Sequence, residues 1–446
     1  MGNLFYNMVN NMERIYLDHA AATPVDKGVV AAMRPYFTDK FGNPGSLHRE
    51  GQIASAAVFN SRLKIARALE CGYREIIFTG SATEANNLAL RAVIKNVKIK
   101  MQNDSAKLKN LRPKIIISTV EHESISETAA DLEKEGVEVA RIPVSREGLV
   151  DLGKLKAALD ERTVLVSVMY VNNEIGMIQP IKEIAKIIED FRKEIPNSRF
   201  PIPNKFPITQ FPILHIDAVQ AFQYLPCRPA ELNVDLMTLS AHKIYGPKGM
   251  GLLYVRRPTS DVRLLSSFIT GGGQEGGMRA GTENVPYIAG FAEAVEITEA
   301  MREKEAKRIA KLRDYFWQEI RRKINTHLNP ALKALSGGIN PPPASRGRKE
   351  GMELNGSLKN RLPNNLNIYF PGHKAQDLLI ALDVYGVAAS SGSACSARTT
   401  EPSRVIMALG YNRERALSSL RFTLGRRTTK NEIDITIKVL LKCLGA

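Results

Sequence analysis

The first two-thirds of the chain alternate short β-branched runs with stretches in which apolar residues recur at helical spacing. Six runs have this character: EIIFTG (75–80), KIIISTV (114–120), TVLVSVMY (163–170), ILHID (213–217), VDLMTLS (234–240) and MGLLYVRR (250–257). Helical patterns follow the first three runs, from about Glu84, Ser124 and Ile181. Because parallel strands need crossover helices, this pattern predicts an α/β fold with a mainly parallel sheet covered on both faces.

The last third of the chain has a different pattern, and it begins with a long helical stretch from about Val285 to His327. Two predicted strands and two predicted helices follow: NNLNIYF (364–370), KAQDLLIALDVYG (374–386), SSLRFTLG (418–425) and NEIDITIKVLLKCL (431–444). We therefore predict a large domain over 15–290 and a smaller α+β domain over 291–446, to which residues 1–14 also belong.

Two segments interrupt these patterns. Residues 197–212 contain four prolines, and residues 340–360 are rich in proline, glycine and charge. Such compositions are typical of loops, so we predict that both segments are surface excursions.

Composition favours a globular protein, with 44% hydrophobic and 24% charged residues among 446. No apolar run reaches the roughly 18 residues that span a bilayer, so no membrane association is expected. The N-terminal stretch 1–19 has neither a basic region followed by an apolar run nor a small-residue cleavage site, which predicts a cytoplasmic protein. The net charge of +16 leaves an RNA-binding or scaffold-docking protein as an alternative from another class.

The four cysteines, Cys71, Cys227, Cys395 and Cys443, lie far apart and form no CxxC pair. This spacing argues against a zinc cluster or a disulfide framework, and we expect inert packing for three of them. Cys395 differs, because the surrounding SSGSACSART (390–399) consists largely of small residues that cannot fix it in a core. We interpret it as a thiol that has to move.

A lysine and an aspartate follow two neighbouring predicted strands. Lys243 lies in LSAHKIYGPKG (239–249), beside His242 and Ser240, which are suitable phosphate donors. A lysine at this edge of a sheet can form a Schiff base, although a surface lysine in a Gly/Pro turn is the ordinary interpretation of the segment alone. Asp217 ends the preceding strand, with Gln220 one turn further on, and a buried carboxylate there needs a cation. The protonated pyridine nitrogen of pyridoxal phosphate would be that cation, although an N-cap at the strand end is the ordinary interpretation of Asp217 alone.

Further polar residues follow the other strands. TGSATEANN (79–87) places the amides of Ala82 and Thr83 at a strand-to-helix turn, where a phosphate can bind. His122 and Asn173 follow the next two long strands. The glycine-rich stretch 271–284 has neither the Gly-Lys-Ser/Thr ending of a P-loop nor a GxGxxG spacing after a strand, so it predicts little by itself.

Together these motifs resemble, in order from about Ile15 to Arg427, a cysteine desulfurase of the NifS/IscS type. They are YLDHAAATP, GNPGSLH, TGSATEANN, VEHES, VNNEIG, HIDAVQ, SAHKIYGPKG, GGGQEGGMRAGT, SSGSACSA with EPS, and SSLRFTLGR. The resemblance implies a fold-type I pyridoxal phosphate enzyme, with a seven-stranded type of sheet in the large domain and a small domain that carries the catalytic cysteine loop.

The resemblance also implies a role for each motif residue. Lys243 would hold the cofactor, Asp217 would pair with its pyridine nitrogen, and His122 would lie over the ring and move protons. The other cofactor contacts implied are Ala82, Thr83, Ser240 and His242 at the phosphate, Gln220 and Asn173 near the phenolic oxygen, and Thr282 from the second subunit of a homodimer. Arg421, assisted by Asn43 and with Asn173 nearby, would bind the substrate carboxylate.

The implied reaction removes sulfur from L-cysteine and leaves L-alanine and a persulfide on Cys395. The nearest alternatives are a selenocysteine lyase or an aminotransferase of the same fold, and an aminotransferase would not need Cys395. No resident metal is expected, although Cys395 is a candidate transient ligand of an iron–sulfur cluster.

Several positions depart from the family pattern. Gly80-Ser81 stands where Ser-Gly is usual, Ala22 replaces a threonine, and the two long inserts are atypical. The chain ends at Ala446, without the C-terminal extension by which some members dock their scaffold. The sulfur acceptor is therefore left open between an iron–sulfur scaffold protein and a tRNA-thiolation enzyme.

Overall fold

The computed structural model of the chain describes residues 14–103, 112–194, 211–256, 267–328, 351–392 and 401–445. Its strands are β1 (Ile15–Tyr16), β2 (Ile76–Thr79), β3 (Lys114–Ser118), β4 (Glu138–Ile142), β5 (Thr163–Met169), β6 (Ile213–Asp217), β7 (Leu236–Ser240), β8 (Gly251–Val255), β9 (Glu353–Leu354), β10 (Asn365–Tyr369), β11 (Val387–Ala388) and β12 (Ser419–Thr423).

The α-helices are α1 (Lys27–Met33), α2 (Pro35–Thr38), α3 (Arg49–Leu69), α4 (Ala82–Asn103), α5 (Glu123–Lys134), α6 (Leu152–Ala158), α7 (Ile181–Glu194), α8 (Pro229–Leu232), α9 (Val285–Leu328), α10 (Ala375–Val384), α11 (Arg404–Ala408), α12 (Arg413–Leu417) and α13 (Lys430–Cys443). Short 3₁₀ helices lie at Tyr73–Glu75, Ala241–Lys243 and Gln274–Gly277. None of the helices in the described ranges is both long enough and apolar enough to span a membrane.

A seven-stranded sheet with the order β2-β8-β7-β6-β5-β3-β4 forms the centre of the fold. All neighbouring strands are parallel except at β8, which pairs antiparallel with both β2 and β7. The predicted α/β class and mainly parallel sheet are confirmed. The edge strand β4 was not predicted, because its half-exposed sequence EVARI has no apolar run.

Residues that alternate along the strands support helices on opposite faces of this sheet. Ile76 and Phe78 belong to a buried cluster with residues of α3 and α9, whereas Ile77 packs in a second cluster with residues of α4 and α5. Because both faces are covered, every residue of β2, β3 and β5 to β8 is buried. This is the burial pattern of a parallel sheet between two helix layers.

A smaller unit follows α9. It contains the antiparallel three-stranded sheet β12-β10-β9, against which α9 and α10 pack. The N-terminal strand β1 pairs in parallel with β11, so the chain enters the fold at this unit. The helix α9 continues without interruption through residue 290, and the division into two domains there stays a prediction.

The predicted surface excursion over 340–360 is wrong at Glu353–Asn355. Glu353–Leu354 forms β9 at the edge of the small sheet, and Asn355 is fully buried. Its Nδ2 donates to Asn367 Oδ1 at 2.7 Å and to Ser419 Oγ at 2.8 Å. Hydrogen bonds between side chains therefore compensate the burial of Asn355, which composition alone could not indicate. Residues 197–210 and 340–350 lie outside the described ranges. The predicted excursion over 197–212 is wrong at Phe211 and Pro212, which are buried, because Phe211 packs in the second hydrophobic cluster.

Gly425 is required where β12 meets the N-terminal segment, because a Cβ built there would lie 2.2–2.4 Å from three ring atoms of His19. His19 is buried, and its backbone N–H donates to Thr423 O at 3.3 Å. The absence of a side chain at Gly425 thus lets the N-terminal segment pack against β12.

We predict that Gly425→Ala lowers the free energy of unfolding by about 1–3 kcal/mol, as overpacking of a tight contact does. Gly351→Ala is the matched control, because a Cβ there would meet no atom within 4 Å. Urea denaturation followed by circular dichroism measures both variants. Equal midpoints for the two would contradict the packing described for His19.

Candidate active site

A cavity of about 280 Å³ opens where the parallel strands of the large sheet end. The predicted site residues that line it are Ala82, Thr83, His122, Asn173, Asp217, Gln220, His242, Lys243 and Arg421. Most of them follow β2, β3, β5, β6 and β7, whose carboxyl ends lie at one edge of the sheet, while β12 of the small unit contributes Arg421. This is the position at which parallel α/β sheets bind ligands.

Lys243 lies in a 3₁₀ turn directly after β7, and its amine reaches the N-terminal segment. Nζ donates to the carbonyl oxygens of Ala20 at 2.6 Å and Ala21 at 2.7 Å. Next to it, Ser240 Oγ lies 2.9 Å from His242 Nδ1. Burial, together with the positive charge of Lys243, lowers the pKa of His242 to about 4, so this ring is neutral at physiological pH.

Asp217 ends β6 and is buried at the cavity wall. Its Oδ1 accepts from the backbone N–H of Val219 at 3.0 Å, and its Oδ2 accepts from Asn86 Nδ2 at 2.8 Å. Both donors are neutral, so the negative charge of this carboxylate is not balanced by them. A cationic group in the cavity would therefore be favoured beside it.

His122 precedes α5, and a hydrogen-bonded chain connects it to Asp217. Its Nδ1 accepts from the backbone N–H of Ser124 at 3.1 Å and lies 2.9 Å from Ser124 Oγ. Asn86 Nδ2 donates to the same Ser124 Oγ at 2.8 Å and to Asp217. Because Nδ1 accepts a backbone hydrogen bond, the proton of the neutral ring lies on Nε2. The connecting residues Asn86 and Ser124 lie in the motifs TGSATEANN and VEHES but were not predicted as site residues, since neither was assigned a contact of its own.

The turn between β2 and α4 forms another wall of the cavity. Ser81 Oγ accepts from the backbone N–H of Glu84 at 3.1 Å and so caps the helix that begins at Ala82. Gly251 of β8 permits a close approach, because a Cβ there would lie 2.5–2.8 Å from backbone atoms of Ser81 and Ala82. The reversed Gly80-Ser81 order thus leaves the N-terminus of α4 at the cavity, where it suits a phosphate.

Arg421 is held by two elements far apart in sequence. Its Nη2 forms an ion pair with Asp18 Oδ1 at 2.7 Å, and its Nη1 donates to the carbonyl oxygen of Asn173 at 2.9 Å. The side chain is only 1% exposed, and its buried Nε has no hydrogen-bond partner among the described residues. Nearby, Gln220 Nε2 donates to the Ala20 carbonyl at 3.0 Å.

Among the described residues, three predicted site residues do not line this cavity. Ser240 is buried behind His242. Asn43 is exposed, and its Oδ1 accepts from the backbone N–H of Gly45 at 2.9 Å. Thr282 is also exposed, and Cys395 lies outside the described residues. The roles of these four residues stay predictions.

Two buried glutamates near the cavity were not predicted. Glu121 accepts from Ser118 Oγ and from the backbone N–H of Met169, while its Oε2 has no partner within the described ranges. Burial raises the pKa of Glu121 to about 8, with a further contribution from the Asp217 carboxylate. Glu174 accepts from the hydroxyl of Ser403 at 2.5 Å, and burial raises its pKa as well. Nothing in the sequences VEHES and VNNEIG indicated that Glu121 and Glu174 would be buried.

Comparison with known proteins places the chain in a family. The model of the family described as Aminotransferase class-V matches residues 15–195, 210–336 and 348–436. The chain is 40% identical over 426 residues to "Cysteine desulfurase IscS" of Dictyoglomus turgidum, covering 96% of this chain and 93% of that protein. It is 39% identical to "Cysteine desulfurase IscS 1" of Archaeoglobus fulgidus, over 95% of each chain.

A solved structure described as "NIFS-LIKE PROTEIN" superimposes with a TM-score of 0.78 at 31% identity, covering 97% of this chain and 99% of that one. The chain belongs to the class-V aminotransferase family. Within this family it is a cysteine desulfurase of the NifS/IscS type, a pyridoxal 5'-phosphate enzyme.

The donor set of the cavity fits pyridoxal phosphate. The lining includes an amine (Lys243), a buried carboxylate whose hydrogen-bond donors within the described ranges are both neutral (Asp217), and the N-terminus of α4. These groups match the aldehyde, the pyridine nitrogen and the phosphate of the cofactor, respectively.

We predict that Glu121→Gln changes the pH dependence of stability. Because the pKa of Glu121 is raised to about 8 in the folded protein, its contribution to stability is present in acid and is lost as pH rises from the unfolded value toward 8. The free energy of unfolding of wild type relative to Glu121→Gln should therefore fall by about 1.4 kcal/mol per pH unit over much of this range.

Urea unfolding at a series of pH values measures this difference. The exposed Glu147→Gln is the control for loss of a carboxylate. If the wild-type and Glu121→Gln curves run parallel from acid to pH 8, Glu121 does not titrate as described.

Proposed function

We propose that this chain takes L-cysteine as substrate, releases L-alanine and retains the sulfur as a persulfide on Cys395 for transfer to an acceptor. The observation that carries the proposal is the convergence of Lys243, Asp217, His122 and Arg421 on one cavity. These residues come from four separate segments of the chain, and each supplies a group that the reaction needs.

Different polar residues of the cavity bind different groups of the cofactor. Lys243 forms the covalent attachment, Asp217 keeps the pyridine nitrogen protonated, and Ala82 and Thr83 at the start of α4 bind the phosphate together with Ser240 and His242. When bound, pyridoxal phosphate withdraws electrons from the substrate and makes its Cβ–S bond breakable. Gln220 and Asn173 hydrogen-bond near the phenolic oxygen.

His122 transfers protons, and Arg421 orients the substrate. The His122 Nδ1 is engaged by the backbone N–H of Ser124, which leaves Nε2 as the nitrogen that exchanges protons. Arg421 binds the substrate carboxylate through its planar guanidinium, with Asn43 assisting. A fixed guanidinium on a buried strand holds the substrate in one orientation, which favours attack on its sulfur.

The sulfur transfer balances without an added oxidant. The Cys395 thiolate forms an S–S bond with the substrate sulfur as the Cβ–S bond breaks, and the electron pair of that bond stays with carbon. Cβ then takes up a proton, so the products are L-alanine and the Cys395 persulfide. The thiolate is the reactive form, so attack requires local deprotonation of a group whose ordinary pKa is about 8.5.

The proposal extends to the oligomeric state, the cellular compartment and the sulfur acceptor. We place the protein in the cytoplasm as a homodimer in which Thr282 contacts the cofactor phosphate of the other subunit. The exposure of Thr282 supports this assignment, because it leaves the side chain available to a second copy. The acceptor is an iron–sulfur scaffold protein or a tRNA-thiolation enzyme.

We predict that Cys395→Ala retains the visible absorbance of the lysine-linked cofactor but reduces sulfide release to background, because only the nucleophile is lost. Lys243→Ala should lose that absorbance. Cys443→Ala is the matched control for removal of a thiol and should behave as wild type. Sulfide release at the wild-type rate by Cys395→Ala would refute the nucleophile and favour another activity of the same fold.

We predict that mixing Thr282→Ala with Lys243→Ala chains restores activity. If Thr282 acts across the dimer, each mixed dimer has one site with both Lys243 and Thr282 intact. Co-expression of two differently tagged chains, purification of the mixed dimer and assay of sulfide release test this. No recovery above the separate variants would show that Thr282 does not act across subunits.

A further inference from the structure

We infer that Asp18 is a positioning residue that orients the Arg421 guanidinium and thereby sets the affinity for the substrate carboxylate. The inference rests on the proposed role of Arg421 and extends it to a residue of the YLDHAAATP motif with no function assigned so far. It concerns the ion pair between Asp18 Oδ1 and Arg421 Nη2, which are 2.7 Å apart.

Backbone hydrogen bonds fix Asp18 beside the strand that carries Arg421. Asp18 forms a parallel bridge with Thr423, two residues after Arg421 on β12. The Thr423 N–H donates to Leu17 O at 2.7 Å, and the Ala20 N–H donates to Thr423 Oγ1 at 2.9 Å. The Asp18 carboxylate is therefore held at a defined place relative to the guanidinium.

The contacts of Arg421 leave part of its donor set for a ligand. A guanidinium has five N–H donors. The Asp18 carboxylate accepts a hydrogen bond from Nη2, and the Asn173 carbonyl oxygen accepts one from Nη1. The Nε–H is buried and has no acceptor among the residues that the structure describes. A planar carboxylate can therefore bind a guanidinium whose orientation is already fixed.

Asp18 acts through Arg421, because Arg421 lines the cavity and Asp18 is not among the lining residues. Two opposing effects follow from the pair. The hydrogen bond restricts a long side chain to one orientation, which favours binding, whereas the negative charge offsets the attraction for a second carboxylate. Since Arg421 is 1% exposed and its guanidinium is hydrogen-bonded to both Asp18 and the Asn173 carbonyl, we expect orientation to be the larger effect.

The test compares ligands that differ only at the carboxylate. Dissociation constants of L-alanine and L-alaninamide are measured for the holoenzyme from the change in cofactor absorbance. Asp18→Ala should weaken L-alanine binding about tenfold, as expected for loss of a charge-assisted hydrogen bond, and should leave L-alaninamide within about twofold. Asp18→Asn should recover most of the loss, because its amide oxygen still accepts from Nη2. With L-cysteine, KM should rise while kcat changes much less.

Tyr16→Phe is the matched control. The Tyr16 hydroxyl lies 3.0 Å from the carbonyl oxygens of Asp18 and Ala22, between which its single O–H is shared, so its removal perturbs the same segment without touching the ion pair. This variant should discriminate between the two ligands as wild type does.

Equal weakening of both ligands by Asp18→Ala would assign Asp18 a general packing role and overturn the inference. Tighter binding of L-alanine by the same variant would also overturn it, since the charge effect would then exceed orientation. If the wild-type enzyme itself does not distinguish L-alanine from its amide, the carboxylate role of Arg421 fails instead, which is a separate result.

Discussion

The parallel arrangement of the central strands is the constraint on which the site depends. Because β3, β5, β6 and β7 run in the same direction, and β2 points the same way on the far side of β8, their carboxyl ends lie along one edge of the sheet. Polar residues that are distant in sequence are thus brought to a single cavity. The apolar strands are covered by helices on both faces, so a ligand reaches the polar residues at the carboxyl ends of the strands.

The N-terminal segment completes the cavity by connecting the two units. It begins at β1 beside β11 of the small unit, passes β12 through Asp18, and reaches the large unit where Ala20 and Ala21 accept from Lys243. The same short segment therefore contacts the residues that would bind the cofactor and the substrate. A change in its position would alter both functions together.

Much of the fold could be predicted from the sequence, because buried strands and amphipathic helices have distinct periods. The edge strand β4 and the buried Asn355 could not, since half-exposed strands and buried polar segments both resemble loops in composition. The residues nearest the cofactor were recognisable because they belong to motifs. Asn86, Glu121 and Asp18 lie in the same motifs but were given no role in advance, because their importance comes from contacts with residues more than a hundred positions away or from burial.

The most direct test of the central claim is mass spectrometry of the peptide that contains Cys395 after the holoenzyme reacts with L-cysteine, with alanine measured in parallel. We predict one added sulfur atom on Cys395 and an equal amount of L-alanine, both dependent on pyridoxal phosphate. Alanine formation without sulfur on Cys395, or conversion of L-cysteine to pyruvate in place of alanine, would contradict it.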